Sequence, residues 1–385
     1  MAIAPVPFFT ETIEGQVDNL LLRICEAFQL DETRYKLAED HYEAVGDWFE
    51  AEGSSIGQYR PAIFPQGSMR LNTTVKPLAG EEYDLDFVCE LACSSKSFRT
   101  PIEALDLIEN RLRQSDIYKS KLERKNRCVR LNYVHDFHMD ILPACVDHNS
   151  GGTCLLVPDR KLIDWKASNP KGYAVWFESR SSLMKMSESN VFAKAEPIPD
   201  QQAVAEKTSL QLSVQLLKRW RDLRYQSKVE VAPISIVLTT LAGHYYRGER
   251  SVARALGSIL TGISHAVRTI RPRLVVLNPS NPKEDLSERW DSDPNAYPEF
   301  VNGITELEEQ WSRLLRATGI PNVTRILEKL FGEEIAKQVI EKQAREIQAA
   351  RNRDELSVRK TSGVISSIAS SASVRIRPNT FYGEK

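Results

Sequence analysis

Tyr83-Asp84-Leu85-Asp86-Phe87-Val88 is the stretch on which the reading of this 385-residue chain turns. Residues 83–91 favour β structure and alternate in polarity, which reads as a strand. On a strand, residues two apart share a face. Asp84 and Asp86 therefore point together, while Leu85 and Phe87 point to the opposite, core side. Two carboxylates side by side repel each other, and a divalent cation removes that repulsion and favours both ionised forms. Taken alone, the pattern is equally that of a strand with a solvated acidic face.

Working outward, His138-Met139-Asp140-Ile141-Leu142-Pro143 is a second β-like segment, interrupted by one carboxylate. A lone Asp in an apolar strand is costly unless it is paired or metal-bound. If this strand lies beside the first, Asp140 completes a three-carboxylate cradle with Asp84 and Asp86. Oxygen-only ligands suit Mg²⁺ or Mn²⁺ rather than Zn²⁺. Upstream, Gln66-Gly67-Ser68 follows an extended, Pro-containing segment. Gly67 permits a tight turn, Ser68 is expected to open a helix as its N-cap, and exposed amides at such a turn bind phosphate. A Gly-Ser turn by itself is commonplace.

The rest of the chain is an α+β pattern. Helical periodicity runs over residues 17–28, 35–52 and 104–115, and strands are expected at 128–133 and 138–142. Residues 146–200, rich in Gly and Pro, read as a long connection with short helices. From residue 203 the chain is mostly helical, with helices expected over 204–225, 234–246, 304–318 and 333–353. These readings divide it into a core with N-terminal helices (1–165), a helical lobe (166–355) and a flexible Ser-rich tail (356–385).

Composition excludes several function classes. Hydrophobic residues make up 42% and charged residues 27%, with a formal net charge of −1. Such a chain is no general nucleic-acid or membrane-surface binder, and its basic runs, 121–130 and 268–273, are short. No stable DNA binding is expected. The N-terminus lacks a secretory signal, and the most apolar stretch, 232–242, is too short to span a bilayer. Scattered cysteines indicate a reducing, cytoplasmic compartment. His135, His138, Cys145, His148 and Cys154 are zinc-ligand types without zinc-motif spacing, so a strand followed by a polar loop is expected there.

Gly-Ser, then Asp-x-Asp, then a third Asp on a later strand resembles the DNA polymerase β-like nucleotidyltransferase superfamily. The insert Leu71-Asn-Thr-Thr-Val-Lys-Pro-Leu-Ala-Gly-Glu-Glu-Tyr83 resembles the branch that holds cyclic GMP-AMP synthases, oligoadenylate synthases and the bacterial CD-NTases. Three further segments are similar to bacterial CD-NTases. Residues 211–222 resemble a helix that presents a lysine, here Lys218, to the triphosphate. Pro233-Ile-Ser-Ile236 resembles the next helix, which supplies a phosphate-binding serine, here Ser235. The third is Asn278-Pro279 with Glu284-Asp285-Leu286 and Arg289-Trp290. The resemblance covers residues from about 40 to about 320.

It implies a polymerase β-like core, a mixed sheet flanked by helices, with the active site in the cleft beside a helical C-terminal lobe. It implies a metal-dependent nucleotidyltransferase that joins ATP or other ribonucleoside triphosphates into a cyclic di- or trinucleotide messenger, in bacterial antiphage (CBASS) defence. Asp84, Asp86 and Asp140 would bind two Mg²⁺ or Mn²⁺ ions, and Gln66, Gly67, Ser68, Lys218 and Ser235 would bind nucleotide. Rival readings are a linear oligoadenylate synthase or a protein/RNA nucleotidyltransferase. Arg377 to Gly383 resembles CD-NTase tails that a ubiquitin-transfer-like partner conjugates, although Glu384 and Lys385 follow the glycine.

Overall fold

The sheet is built by alternation, and the alternation sorts the carboxylates onto one face. The computed structural model describes residues 13–78, 82–133, 137–182, 196–359, 365–366 and 373–376. The chain enters through helices α1 (Ile13–Ala27) and α2 (Glu32–Glu50), the latter capped by Asp31, whose side chain accepts from the Arg34 amide at 2.9 Å. Strand β1 (Ala62–Pro65), the single turn α3 (Gly67–Arg70) and the long strand β2 (Tyr83–Ser94) follow. Then come α4 (Pro101–Arg113), β3 (Leu122–Arg124), β4 (Val129–Tyr133), β5 (Phe137–Val146), β6 (Leu155–Asp159) and β7 (Asp164–Ser168).

These strands form one mixed sheet in the order β1-β2-β5-β4-β3, with β6 paired to the end of β5 and β7 to β6. Among the described residues, only β2 and β5 pair in parallel, with Asp86 opposite Asp140. On one face, Tyr83, Leu85 and Phe87 of β2, Val129 and Leu131 of β4, and Met139 and Ile141 of β5 pack against α2 and α4. The other face carries Asp84, Asp86, Arg130, His138 and Asp140.

The helical part comprises α5 (Pro170–Ser181), α6 (Ser209–Arg224), α7 (Ser235–Tyr245), α8 (Val252–Thr269), the short hairpin β8 (Leu277–Asn278) and β9 (Asn281–Asp285), and α9 (Arg289–Ser292). It continues with α10 (Ala296–Leu314), α11 (Ile320–Phe331) and α12 (Glu333–Asn352). Its apolar core also contains Leu21, Ile24 and Phe28 of α1, so the first helix packs with the helical lobe. Arg23 of α1 and Glu346 of α12 form an ion pair at 2.7 Å.

Four expectations are corrected. Residues 146–200 hold a helix, α5, as expected of a connection with short helices, but also two strands: Leu155-Leu156-Val157 is apolar enough to extend the sheet, as β6 followed by β7. The helix expected from residue 204 begins at Ser209, because Thr208 caps it with Gln211 in a reciprocal box. Three helices lie where the sequence reading expects none: α8, the single turn α9 and α11. Part of the Ser-rich tail is ordered, as β10 (Ser357–Arg359), β11 (Ile365–Ser366) and β12 (Ser373–Arg375) form a small antiparallel sheet. The Arg377–Gly383 segment lies outside the described residues, as does His135.

Candidate active site

The site sits where the polar sheet face meets α3, α6 and α7. The turn before α3 is tied to β2 by the Gln66 amide, which donates to the Asp86 carbonyl at 2.9 Å. Gln66, not Ser68, is the cap residue, and no side chain bonds there; Ser68 lies inside the turn. Gly67 takes φ +62, and a Cβ added to it would lie 2.8 Å from Asp86 Oδ2. Glycine is needed twice over, for the left-handed backbone and for the close approach to the carboxylate.

From the helical side, α6 grips the segment after α3. Gln211 donates to the Leu71 carbonyl at 3.0 Å and Gln215 to the Thr74 carbonyl at 2.6 Å. Lys218, buried on the same helix, donates to the Thr73 carbonyl and hydroxyl, both at 3.1 Å. Burial, reinforced by repulsion from Arg221, pulls its ammonium down to about 7. Arg221 donates to the Ser235 hydroxyl at the start of α7 and pairs with Asp222.

Two cavities meet at this place. The smaller, about 310 Å³, is lined by Gly67, Ser68, Asp84, Asp86, Lys218 and Ser235, among others. The larger, about 970 Å³, shares Gly67, Leu71, Asp86 and Ile236 with it and runs past Gln66 to β6, β7 and the β8–β9 hairpin. Its far wall joins the lobes: Glu288 bonds Arg127 at 2.6 Å and Lys166 at 2.9 Å, and Arg127 also pairs with Asp159 at 2.8 Å. Asn278 donates to Glu284 at 2.6 Å within the same wall.

The structure thus gathers Asp84, Asp86, Gln66, Gly67, Ser68, Lys218 and Ser235 around two joined cavities, with Asp140 beside Asp86 on the neighbouring strand. Burial, then the neighbouring Asp140 and Asp84, push the Asp86 carboxyl up to about 7. Burial also raises Asp84, outweighing the pull of Arg130. Asp140 is held differently from expectation. Arg130, its register partner on β4, donates to it twice, at 2.6 and 2.8 Å, and reaches Asp84 at 3.1 Å. Among the described residues, no three His, Cys, Asp or Glu side chains stand close enough to share one metal ion.

The donor set nonetheless fits a hard divalent cation: three carboxylates on one face, two of them, Asp84 and Asp140, paired with one cationic guanidinium at that spot. Arg130 and Arg221 were not singled out as site residues. The Val129-Arg130-Leu131 alternation, which sends Arg130 to the carboxylate face, was the available signal. Among the described residues, the zinc-ligand types do not form a site: His138 and Cys145 lie on β5, and Cys154 is buried beside Asn169.

Comparison with known proteins fits this geometry. Residues 16–180 match the model of the Second Messenger Oligonucleotide or Dinucleotide Synthetase domain. A c-di-GMP synthase from Roseivirga ehrenbergii is 31% identical over 377 residues, covering 97% of this chain and 99% of that protein. The cyclic dinucleotide synthase CdnG of Bradyrhizobium diazoefficiens is 27% identical over 410 residues, 96% of this chain and 95% of CdnG. The solved structure of that CdnG in complex with GTP superposes with a TM-score of 0.68 at 23% identity, covering 85% of this chain and 98% of the other. Vibrio cholerae DncV cyclic AMP-GMP synthase with nonhydrolyzable GTP gives 0.55 at 14% identity, over 80% and 92% of the two chains.

Proposed function

The chain belongs to the bacterial CD-NTase family, nucleotidyltransferases that make cyclic oligonucleotides from ribonucleoside triphosphates, and on that premise we propose that it condenses two GTP molecules into cyclic di-GMP. What carries this reading is the position of Asp86, shared by a small cavity and a larger one. One space suits the donor triphosphate and the other the acceptor nucleotide, with the reacting atoms between them. The choice of guanine is supported by likeness to the Roseivirga c-di-GMP synthase along nearly the whole chain.

In each step the acceptor ribose oxygen bonds to the donor α-phosphorus, the bond to pyrophosphate breaks, and the hydroxyl proton leaves. Repeating the step on the linear intermediate closes the ring. Two Mg²⁺ or Mn²⁺ ions, when bound, supply the positive charge that stabilises the entering and leaving oxygens. Asp84, Asp86 and Asp140 would hold them. The amides around Gly67 and the Ser68 hydroxyl would orient the donor phosphates. Lys218 and Ser235 would grip the triphosphate from the helical side, Lys218 recovering its proton as the anion arrives.

We further read the enzyme as cytoplasmic and its product as a signal in antiphage defence. Six free cysteines agree with a reducing compartment. Among the described residues, no helix is long and apolar enough to cross a membrane. Conjugation of the tail by a ubiquitin-transfer-like partner belongs to the same proposal.

The test is incubation with labelled ribonucleotides and Mg²⁺ or Mn²⁺, phosphatase treatment, chromatography and mass analysis. GTP alone should suffice for a phosphatase-resistant product with the mass of cyclic di-GMP. A product that phosphatase degrades would identify a linear synthase, and a requirement for ATP would overturn the guanine assignment.

A further inference from the structure

Asp140 is covered by Arg130. Asp84 and Asp86 line the smaller cavity and Asp86 also the larger one, whereas Asp140 lines neither. Its carboxylate accepts Arg130 Nε at 2.6 Å and Nη2 at 2.8 Å. The same Nη2 reaches Asp84 Oδ1 at 3.1 Å. One guanidinium therefore bridges two of the three carboxylates, and the strand register fixes it there: Arg130 faces Asp140 across β4–β5, and Asp140 faces Asp86 across β5–β2.

We propose that Arg130 is a built-in counter-ion that keeps the metal-free site shut, and that the ion bound against Asp140 must displace it. The inference rests on the metal-site reading above. Charge explains the arrangement. Three carboxylates face His138, Lys218, Arg221 and Arg130, but among these only Arg130 bonds Asp140. A fork of two N–H donors is the protein group that best mimics an ion between carboxylates. It brings one positive charge to an anionic cluster of three, so a divalent ion competes with an advantage. The arginine stem can swing away by rotamer changes, without moving β4.

The consequence is an order of binding. An ion arriving with the donor triphosphate meets Asp84 and Asp86, which are open to the smaller cavity. The ion that needs Asp140 finds it occupied and enters when Arg130 leaves. The guanidinium thereby keeps the repelling carboxylates together while the site waits for metal and substrate.

Mn²⁺ binding to the full chain without nucleotide, followed by electron paramagnetic resonance of the free ion, tests this without reference to turnover. Arg130→Gln should tighten the weaker Mn²⁺ site by about tenfold or more, the scale of a lost bidentate charge-assisted pair. Arg130→Lys, which keeps the charge but not the fork, should fall between wild type and Arg130→Gln, and it carries the comparison if the glutamine variant does not fold. Adding Asp140→Asn to Arg130→Gln should remove the gain. Unchanged or weaker Mn²⁺ binding in the Arg130 variants would overturn the proposal and make Arg130 a partner that orients the ligand. No Mn²⁺ binding by wild type or by either variant would instead refute the metal site itself.

Discussion

Replacing Lys218 with methionine should stabilise the nucleotide-free chain while loosening its hold on triphosphate. Lys218 is buried on α6 with its ammonium pulled from 10.5 to about 7. Its charged form is thus penalised in the folded state. At pH 8 the folded amine is largely neutral, and removing a proton from an ordinary lysine at that pH costs about 3 kcal/mol. Against this, the two bonds to Thr73 contribute roughly 1 kcal/mol each. Methionine fits the same volume without the proton cost, so the net gain is about 1 kcal/mol, worth roughly 1 °C in Tm for a chain of this size. The sign follows from a lowered base: the penalty is complete below about pH 7 and vanishes towards 10.5, so the gain should shrink as pH rises through that window. Thermal denaturation at several pH values, with and without a non-hydrolysable GTP analogue and Mg²⁺, provides the assay. A lower Tm for Lys218→Met at pH 8, or undiminished stabilisation by the analogue, would refute the reasoning.

Three more outcomes follow from the site. Asp84→Asn or Asp140→Asn should cut pyrophosphate release by about a thousandfold or more, since each removes charge from the metal cradle; full activity in either variant would sink the assignment. Gly67→Ala combines a left-handed backbone with a Cβ 2.8 Å from Asp86 Oδ2, so it should lose about 1–2 kcal/mol from the backbone alone, with a Tm drop of about 1–2 °C and slower turnover; wild-type values in both would contradict the close approach. Because Asp86 is pushed up to about 7, protons should compete with metal below that pH: calorimetry should show Mn²⁺ affinity falling as pH drops from 7 to 5, with proton release on binding. A flat profile would refute the raised carboxyl.

Much of the site was legible because strand alternation is a local rule. Tyr83, Leu85 and Phe87 needed one face, which left Asp84 and Asp86 on the other, and the parallel β2–β5 pairing then set Asp140 opposite Asp86. Pairing itself is not written in either segment, which is why the third carboxylate was conditional on it. Arg130 escaped because its role depends on a partner strand, and within its own segment it is one of several basic residues. The β6–β7 hairpin was obscured by surrounding glycines and prolines, although Leu155-Leu156-Val157 is apolar enough to extend the sheet. The placement of α1 in the helical lobe depends on contacts with α8 and α12, far along the chain, and no local pattern encodes it.

The most direct test of the metal-dependent account is a crystal of the chain with Mn²⁺ and a non-hydrolysable GTP analogue, measured for anomalous scattering. Two peaks at the carboxylates, one of them against Asp140 with the Arg130 guanidinium moved off it, would bear the account out. Bound nucleotide with no anomalous peak and Arg130 still seated on Asp140 would contradict it.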